Sequence, residues 1–322
     1  MADLVLEGGG VLGIGHVGSL QVLDDAGYRF ARVAGSSVGA LVGALVAGGM
    51  PVDRITEVLS ELDFTALTDR SLLDRVPVVG PLASIVLDNG VYEGDALHRL
   101  VADLLREECG VETFADLRIA GTEHLPIEER YRLVVTVTDT TRGELVRLPW
   151  DYERLYGLDP DRVPVADAVR ASTSIPFFFE PVQLQAASGV VSTLVDGGVL
   201  SNFPIDLLDR QDGRPPRWPT FGIKLLPDLP ARSDRLIPGL GFLHHGPVGL
   251  AADLVTTVLV GRDQARLSLP WVSARTIRVN TGSISPVDFA ITPDEVAGLL
   301  VAGQVATAEF LDTWAFDAYV RR

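Results

Sequence analysis

The order of apolar and polar positions at the start of the chain predicts strands that alternate with helices. Residues 4–6 form a short apolar run that is typical of a buried strand, and residues 13–25 carry a helical pattern. A second apolar run at 32–34 leads into the glycine- and serine-rich residues 35–39, and an uncharged helical stretch follows at 40–47. This βαβα order predicts a mainly parallel sheet that is covered by helices on both faces.

The rest of the chain continues this mixture, without an internal repeat or a convincing interdomain linker. Helical patterns cover residues 53–62, 94–108 and 163–171, and β-prone patterns cover residues 133–137, 144–148, 192–195, 221–226 and 276–280. Two of the β-prone segments, 133–137 and 144–148, are separated by a Thr-Arg-Gly turn and predict a hairpin. We therefore expect residues 1–322 to form a single α/β domain.

The last helix carries the clearest start signal in the chain. Thr292 can cap it, Pro293 suits its first turn, and Glu295 completes a Thr-x-x-Glu capping box. The small and apolar positions that follow fall on one face of this helix: Val296, Leu299, Leu300 and Gly303.

The charge balance excludes some partners. The chain has 43 acidic and 27 basic residues, a formal net charge of −16, and one lysine, Lys224. We therefore expect it to bind neither nucleic acid nor, through a polybasic patch, anionic lipid. No Lys or Arg precedes Arg29, so the N-terminus lacks the charged region of a signal peptide, and we expect a cytoplasmic protein. The single cysteine, Cys109, cannot form an internal disulfide and is expected to be structural.

Residues 33–52 contain no charged side chain and therefore raise the question of a membrane span. Ser36 and Ser37 interrupt the beginning of this stretch, and Gly48-Gly49 and Pro51 interrupt its end. A helix that is apolar all round is also what the centre of a large α/β core requires, and we favour that interpretation.

The glycine-rich residues 8–13 follow the first strand and open the first helix, where backbone N–H groups and the helix dipole favour an anion. The spacing of Gly8, Gly10 and Gly13 fits a dinucleotide-binding loop, but the second strand lacks the terminal acidic residue that would hold a ribose. A Walker loop is excluded because no Gly-Lys-Ser/Thr follows. Two interpretations of this loop remain: an oxyanion hole, or a tight turn that binds no ligand.

Two side chains that suit acyl transfer follow predicted strands. Ser37 lies at the centre of residues 35–39, where Gly35 and Gly39 allow a sharp strand-to-helix turn, the pattern of a nucleophile elbow. Asp196 follows another β-prone segment and precedes two glycines. An aspartate at such a strand end is well placed to approach a serine at a neighbouring strand end, although Asp-Gly is also a common turn.

A Ser-His-Asp hydrolase would need a histidine after the acid in chain order. The candidates are His244 and His245, which lie in a Gly/Pro-rich loop where solvated histidines are common. We expect His16 to be a core residue, and His98 and His124 to lie on the surface. No histidine and acidic residues have the spacing of metal ligands, so we expect no catalytic metal.

Three linked motifs resemble the patatin-like phospholipases in type, order and spacing. They are Leu-Glu-Gly-Gly-Gly-Val-Leu-Gly at 6–13, Gly-Ser-Ser-Val-Gly at 35–39 and Asp-Gly-Gly at 196–198. Further stretches that are similar to this family lie at 91–94, at 168–172 with 175–176, at 201–204 and at 288–289. The resemblance thus runs from about residue 3 to about residue 312.

The resemblance implies a three-layer α/β/α hydrolase with a Ser-Asp dyad that needs neither histidine nor cofactor. Ser37 would attack an ester carbonyl, and Asp196 would accept its proton and later activate water. The oxyanion hole that it implies consists of the N–H groups of Gly9, Gly10 and Val38, in a loop shaped by Gly8. The implied substrate is a lipid carboxylic ester, of the phospholipase A or lysophospholipase type, reached through transient contact with a membrane surface.

Two positions depart from the family pattern. Leu12 stands where Arg or Lys is usual, and Glu7 stands where Asp or Ser is common. Both changes leave the implied catalytic groups in place. Because the loop lacks a cation that could bind a phosphate head group, a neutral ester is an alternative substrate. The apolar segments 77–87 and 236–250 are either an acyl-chain or lipid-surface contact, or buried loops.

Two other functions stay open on the sequence. A Ser-His-Asp esterase would use His244 or His245, and it would lose activity when both are substituted. A nucleotide- or lipid-binding protein would hold its ligand in the glycine loop without turnover. In that case Ser37 would not react with a fluorophosphonate probe.

Overall fold

The structure, a computed structural model, describes residues 1–62, 64, 94–227 and 267–320 of the chain. Its strands are β1 (Ala2–Leu6), β2 (Phe30–Ser36), β3 (Leu133–Asp139), β4 (Glu144–Leu148), β5 (Val182–Gln185), β6 (Val191–Asp196), β7 (Thr220–Pro227) and β8 (Thr276–Gly282). Its α-helices are α1 (Ile14–Asp25), α2 (Val38–Ala47), α3 (Val52–Ser60), α4 (Asp95–Leu104), α5 (Val165–Ser172), α6 (Pro270–Ser273), α7 (Pro293–Thr313) and α8 (Phe316–Val320). The apolar segments at 77–87 and 236–250, with His244 and His245, lie outside these residues.

Within this part of the chain, eight strands form one mixed sheet in the order β5-β6-β3-β2-β1-β7-β8, with β4 paired to β3. The five strands from β3 to β8 in this order run parallel, as the sequence predicts. Strands β4 and β6 are antiparallel to β3, and β5 is antiparallel to β6. Helices lie on both sides of the sheet, as expected of a three-layer α/β/α protein.

Strands β2 and β6 lie end to end along the same side of β3. Ser36 pairs with Thr136, and Asp196 pairs with the next residue of β3, Val137. Strand β4 pairs with both of these β3 residues and therefore occupies the other side. The last residues of β2 and β6 consequently meet, because the two strands approach each other from opposite directions.

The uncharged stretch at 33–52 is divided between the end of β2, a sharp turn and helix α2. Most residues of α2 are buried, and the helix packs on β1, β2 and β3. This agrees with its interpretation as a core helix. In the described residues, no helix is both long enough and apolar enough to cross a membrane.

The last helix, α7, begins as the sequence predicts. Thr292 and Glu295 form both hydrogen bonds of a capping box. Leu299 and Gly303 are buried against α1, where a Cβ added to Gly303 would lie 2.2 Å from the carbonyl oxygen of Gly15. The small residues therefore set how closely α1 and α7 pack.

Candidate active site

Ser37 forms the turn between β2 and α2. Its φ of 52° and ψ of −128° lie in a region that residues other than glycine rarely adopt. The neighbouring glycines are needed because backbones touch: a Cβ on Gly35 would lie 2.2 Å from the carbonyl oxygen of Gly39. A Cβ on Gly39 would lie 2.4 Å from the carbonyl oxygen of Leu6. Residues 35–39 thus form the strand–turn–helix that the sequence predicts.

Asp196 ends β6 and is fully buried. Its Oδ1 accepts a hydrogen bond of 2.7 Å from the N–H of Gly198, and its own N–H donates to the carbonyl oxygen of Ser174 at 2.9 Å. Burial raises the pKa of Asp196 to about 7, although the nearby Ser37 hydroxyl and the hydrogen bond from the Gly198 N–H favour the charged form. A carboxyl group with this pKa can both accept and release a proton near neutral pH.

The side chains of Ser37 and Asp196 face each other in one cleft. Both residues line it, and the Ser37 hydroxyl is close enough to lower the pKa of the Asp196 carboxyl group. Asp196 Oδ2, however, makes no hydrogen bond of ordinary length and angle to a described residue. Of the two carboxylate oxygens, Oδ1 is thus held by the Gly198 N–H, and Oδ2 has no such bond to a described residue.

The glycine loop at residues 8–10 lies beside these two residues. Gly8 donates its N–H to the carbonyl oxygen of Asn202 at 3.1 Å, so this N–H is already occupied. A Cβ on Gly8 would lie 2.2 Å from Asn202 Oδ1 and 3.0 Å from Ser37 Cβ. Gly8 therefore shapes the loop and is not a free donor. No hydrogen bond joins the N–H of Gly9 or Gly10 to another described residue.

Gly10 adopts a positive φ of 54°, and an added Cβ would lie 1.8 Å from the carbonyl oxygen of Pro286. Val38 is the first residue of α2, where helix geometry leaves the N–H without an intrahelical acceptor. Its side chain packs against Gly13, which would clash with it if it carried a Cβ. The loop and the beginning of α2 thus contact each other, and both line the space around Ser37.

Next to the glycine loop lies a buried polar cluster whose contacts the sequence does not reveal. Glu7 forms an ion pair with Lys224 and accepts a hydrogen bond of 2.7 Å from the N–H of Leu225. Asn202 donates from Nδ2 to the carbonyl oxygen of Gly8 at 3.0 Å. Glu7 and Lys224 are 217 positions apart in the chain, so only the pairing of β1 with β7 brings them together.

Two cavities meet at Ser37. The first, of about 460 Å³ including the space open to solvent, holds Asp196 and the glycine loop. The second, of about 600 Å³ on the same measure, is lined almost entirely by apolar side chains, among them Leu41, Leu97 and Phe179. Ile175 borders both cavities. A bound molecule can therefore place a polar linkage at Ser37 and an apolar chain to one side of it.

The histidines of the described residues do not line these cavities. The ring of His16 is buried behind the glycine loop, where Nε2–H donates to the carbonyl oxygen of Glu7 at 2.7 Å and burial lowers its pKa to about 4. His16 is thus a core residue, as expected. His98 contacts Asp167 near the surface, and His124 is exposed. The sequence alternative that uses His244 or His245 involves residues outside the described ranges.

Two other residues with reactive side chains, Asp139 and Cys109, lie in environments that suit a structural role. Asp139 caps a turn by accepting from the N–H groups of Thr141 and Arg142. The thiol of Cys109 is partly buried, which raises its pKa and disfavours the reactive thiolate. Across the ranges that the structure describes, no group of His, Cys, Asp and Glu residues has the arrangement of a metal site.

Comparison with known proteins identifies relatives that cover most of the chain. A family model described as patatin-like phospholipase matches residues 4–209. The uncharacterized protein YqhO of Bacillus subtilis (strain 168) is 34% identical over 314 residues, which cover 98% of this chain and 99% of YqhO. The uncharacterized NTE family protein Rv2565 of Mycobacterium tuberculosis is 28% identical over 262 residues, which cover 81% of this chain but only 35% of that protein.

Solved structures share the fold. VipD from Legionella pneumophila superposes with a TM-score of 0.56 and 21% identity, over 97% of this chain and 67% of VipD. ExoU, in its complex with SpcU from Pseudomonas aeruginosa, gives a TM-score of 0.55 and 19% identity, over 100% of this chain and 52% of that one. The family model and the relative that aligns along almost the full length show that this chain belongs to the patatin-like phospholipase family.

Proposed function

We propose that this protein is a serine acyl hydrolase that cleaves carboxylic esters of lipids, of the phospholipase A or lysophospholipase type. Family membership supports lipid hydrolysis in general. The finer proposal rests on one observation: Ser37 and Asp196 face each other in a cleft that is bordered by the glycine loop.

In the acylation step, the Asp196 carboxylate accepts the proton of the Ser37 hydroxyl while Oγ attacks the ester carbonyl carbon. The tetrahedral intermediate then collapses, the bond to the alcohol oxygen breaks, and that oxygen takes the proton from Asp196. Ser37 is left as an acyl ester. The pKa of about 7 for Asp196 suits both directions of this proton transfer.

The oxyanion of the intermediate is assigned to the N–H groups of Gly9, Gly10 and Val38. Support comes from the position of the loop beside Ser37 and from the engagement of the Gly8 N–H elsewhere. Fixed N–H donors stabilise negative charge that develops in the transition state, and the loss of one typically costs about 100- to 1,000-fold in kcat.

The acyl chain is assigned to the apolar cavity that adjoins Ser37. Burial of its methylene groups would stabilise the complex by roughly 0.8 kcal/mol for each CH₂. The alcohol portion of the lipid would occupy the first cavity, which opens beside Asp196 and Asn202. Transient contact with a lipid surface would deliver such a substrate.

Deacylation uses the same two residues. Asp196 takes a proton from water as the hydroxide portion attacks the acyl carbonyl, and the departing Ser37 oxygen then receives that proton. The cycle releases a free fatty acid and restores both side chains. It requires no cofactor.

Two rivals predict different results in simple assays. An esterase that depends on His244 or His245 would lose turnover when both are replaced by Ala. A binding protein without turnover would show no covalent labelling of Ser37 by a fluorophosphonate probe.

The test of function is a panel of purified neutral glycerides, lysophospholipids and diacyl phospholipids, with free fatty acid as the readout. We expect wild type to release fatty acid from at least one class, and Ser37→Ala to release none. Hydrolysis that persists in a folded Ser37→Ala variant would contradict the proposal, as would inactivity of wild type towards the whole panel.

A further inference from the structure

The hydroxyl group of Ser172 joins the turn at Ser37 to the central strand β3. Ser172 is fully buried at the end of α5. Its Oγ accepts a hydrogen bond of 2.8 Å from the N–H of Ser37 and donates one of 2.7 Å to the carbonyl oxygen of Thr136. One side chain therefore holds the backbone of Ser37 in place relative to β3.

Thr136 is also the residue on which β2 and β6 converge. Thr136 pairs with Ser36, and the next residue of β3 pairs with Asp196. The carbonyl oxygen of Thr136 also lies close to Gly197. A Cβ on Gly197 would lie 2.2 Å from this oxygen. Ser172 thus donates to the carbonyl oxygen of the β3 residue at which β2 and β6 converge.

The segment that contains Ser172 also holds the second member of the pair. The N–H of Asp196 donates to the carbonyl oxygen of Ser174, only two residues along the chain. Arg170 in turn donates to Ser174 Oγ at 2.6 Å and to the carbonyl oxygen of Glu180 at 3.0 Å. Residues 172–174 therefore contact the backbones of both Ser37 and Asp196.

From these contacts we infer that Ser172 is a positioning residue, which fixes the distance and orientation between Ser37 Oγ and the Asp196 carboxylate. The inference rests on the proposed function of those two residues. The positive φ of Ser37 is a strained conformation that persists only when its surroundings enforce it. An alanine at 172 would leave both the Ser37 N–H and the Thr136 carbonyl without this partner, so the turn would lose one of its restraints.

Ser19 provides a matched control for Ser172. It is equally buried, its hydroxyl contacts the carbonyl oxygens of Gly15 and Gly303, and it lies between α1 and α7 away from the cleft. Ser172→Ala and Ser19→Ala should lower Tm to a similar extent. Only Ser172→Ala should lower kcat, by about 10- to 100-fold with little change in KM, because misplacement of reacting groups acts on the chemical step. Equal kcat values in the two variants would overturn the inference.

A double variant tests whether Ser172 acts through the pair. In the Asp196→Asn background, Ser172→Ala should reduce the residual rate much less than it does in wild type, since the group to be positioned has been removed. If Ser172→Ala reduced the rate of Asp196→Asn by the same factor as it reduces that of wild type, Ser172 would act independently of Asp196, which would contradict a positioning role.

The rate of Ser37 labelling by a fluorophosphonate separates this inference from the proposed function. If wild type labels but hydrolyses no lipid ester, the proposed function fails, and labelling that is about tenfold slower in Ser172→Ala still supports positioning. If wild type does not label, the rate of amide hydrogen exchange at residues 36–41 tests the inference instead. Faster exchange in Ser172→Ala than in Ser19→Ala would support the role of Ser172 in restraining the Ser37 turn. The inference is overturned if Ser172→Ala labels as fast as wild type in the first case, or if its exchange is unchanged in the second.

Discussion

Lys224, the only lysine of the chain, forms a buried ion pair with Glu7, the residue directly before the glycine loop. Both side chains are almost fully buried, and Glu7 also accepts from the N–H of Leu225. The side chain of Leu225 contacts Gly9. This pair therefore connects the end of β1, the beginning of the loop and strand β7.

Removal of one partner of this pair should destabilise the protein strongly. Lys224→Met leaves a buried carboxyl group without its counter-charge, which typically costs about 3–5 kcal/mol. The double variant Glu7→Gln/Lys224→Met removes both charges and should regain most of that loss. Urea unfolding of the two single variants and the double variant measures the coupling between the residues.

The partly buried pair of Asp3 and Arg32 offers a comparison away from the loop. Asp3→Asn should lower stability without changing kcat on a lipid ester, whereas Glu7→Gln should lower both because Glu7 adjoins the loop. Unchanged kcat in a folded Glu7→Gln variant would show that the pair serves stability alone.

The buried carboxyl group of Asp196 should make stability depend on pH. Because its pKa is raised from 3.8 to about 7, the folded protein retains a proton that the unfolded chain releases near pH 4. This contribution is complete below pH 4 and is lost as pH rises through 7. Asn does not titrate, so the stability of Asp196→Asn relative to wild type should increase by roughly 3 kcal/mol between pH 5 and pH 8. Urea unfolding at both pH values measures this, and a constant difference would contradict the raised pKa.

Close contact at the turn predicts a strong effect of one methyl group. Gly39→Ala would place a Cβ 2.4 Å from the carbonyl oxygen of Leu6 and should cost about 1–3 kcal/mol, with a fall in kcat as Ser37 moves from the loop. Gly43→Ala lies one turn later in α2, where the nearest atom is the side-chain Val33 Cγ1 at 3.1 Å. That control should change stability by less than about 1 kcal/mol. Similar melting temperatures for the two variants would argue against the turn geometry.

The apolar cavity predicts a chain-length preference. Leu41→Phe and Leu97→Phe each add volume to the wall of this cavity. Both should reduce kcat/KM for long-chain esters while leaving a short-chain ester almost unaffected, because the shorter chain does not reach the added ring. A series of esters of increasing chain length measures the shift. An equal loss for all lengths would place the acyl chain elsewhere.

Local signals account for the parts of the fold that the sequence predicts well. The capping box at Thr292 and Glu295 and the turn at residues 35–39 each depend on residues close together in the chain. The strand Val182–Gln185 was not predicted: its residues do alternate between apolar side chains and glutamine, but a run of four residues is the shortest that can indicate a strand.

Nonlocal contacts limit what could be predicted of the site. The sequence indicates that Asp196 follows a strand, but not that this strand is antiparallel to β3 and ends against β2. The contacts of Ser172 with Ser37 and Thr136 link residues from three separate segments. Such contacts depend on the assembled sheet. The family motifs contain Ser172 and Asn202, which was the available signal that these positions matter.

The most direct test of the account compares turnover in two variants on the same lipid ester. The account predicts that Asp196→Asn, folded as judged by its melting curve, loses at least about 1,000-fold in kcat. It also predicts that His244→Ala/His245→Ala retains wild-type kcat within a few-fold. Loss of turnover in the histidine variant together with retained turnover in Asp196→Asn would contradict the proposed pairing of Ser37 with Asp196.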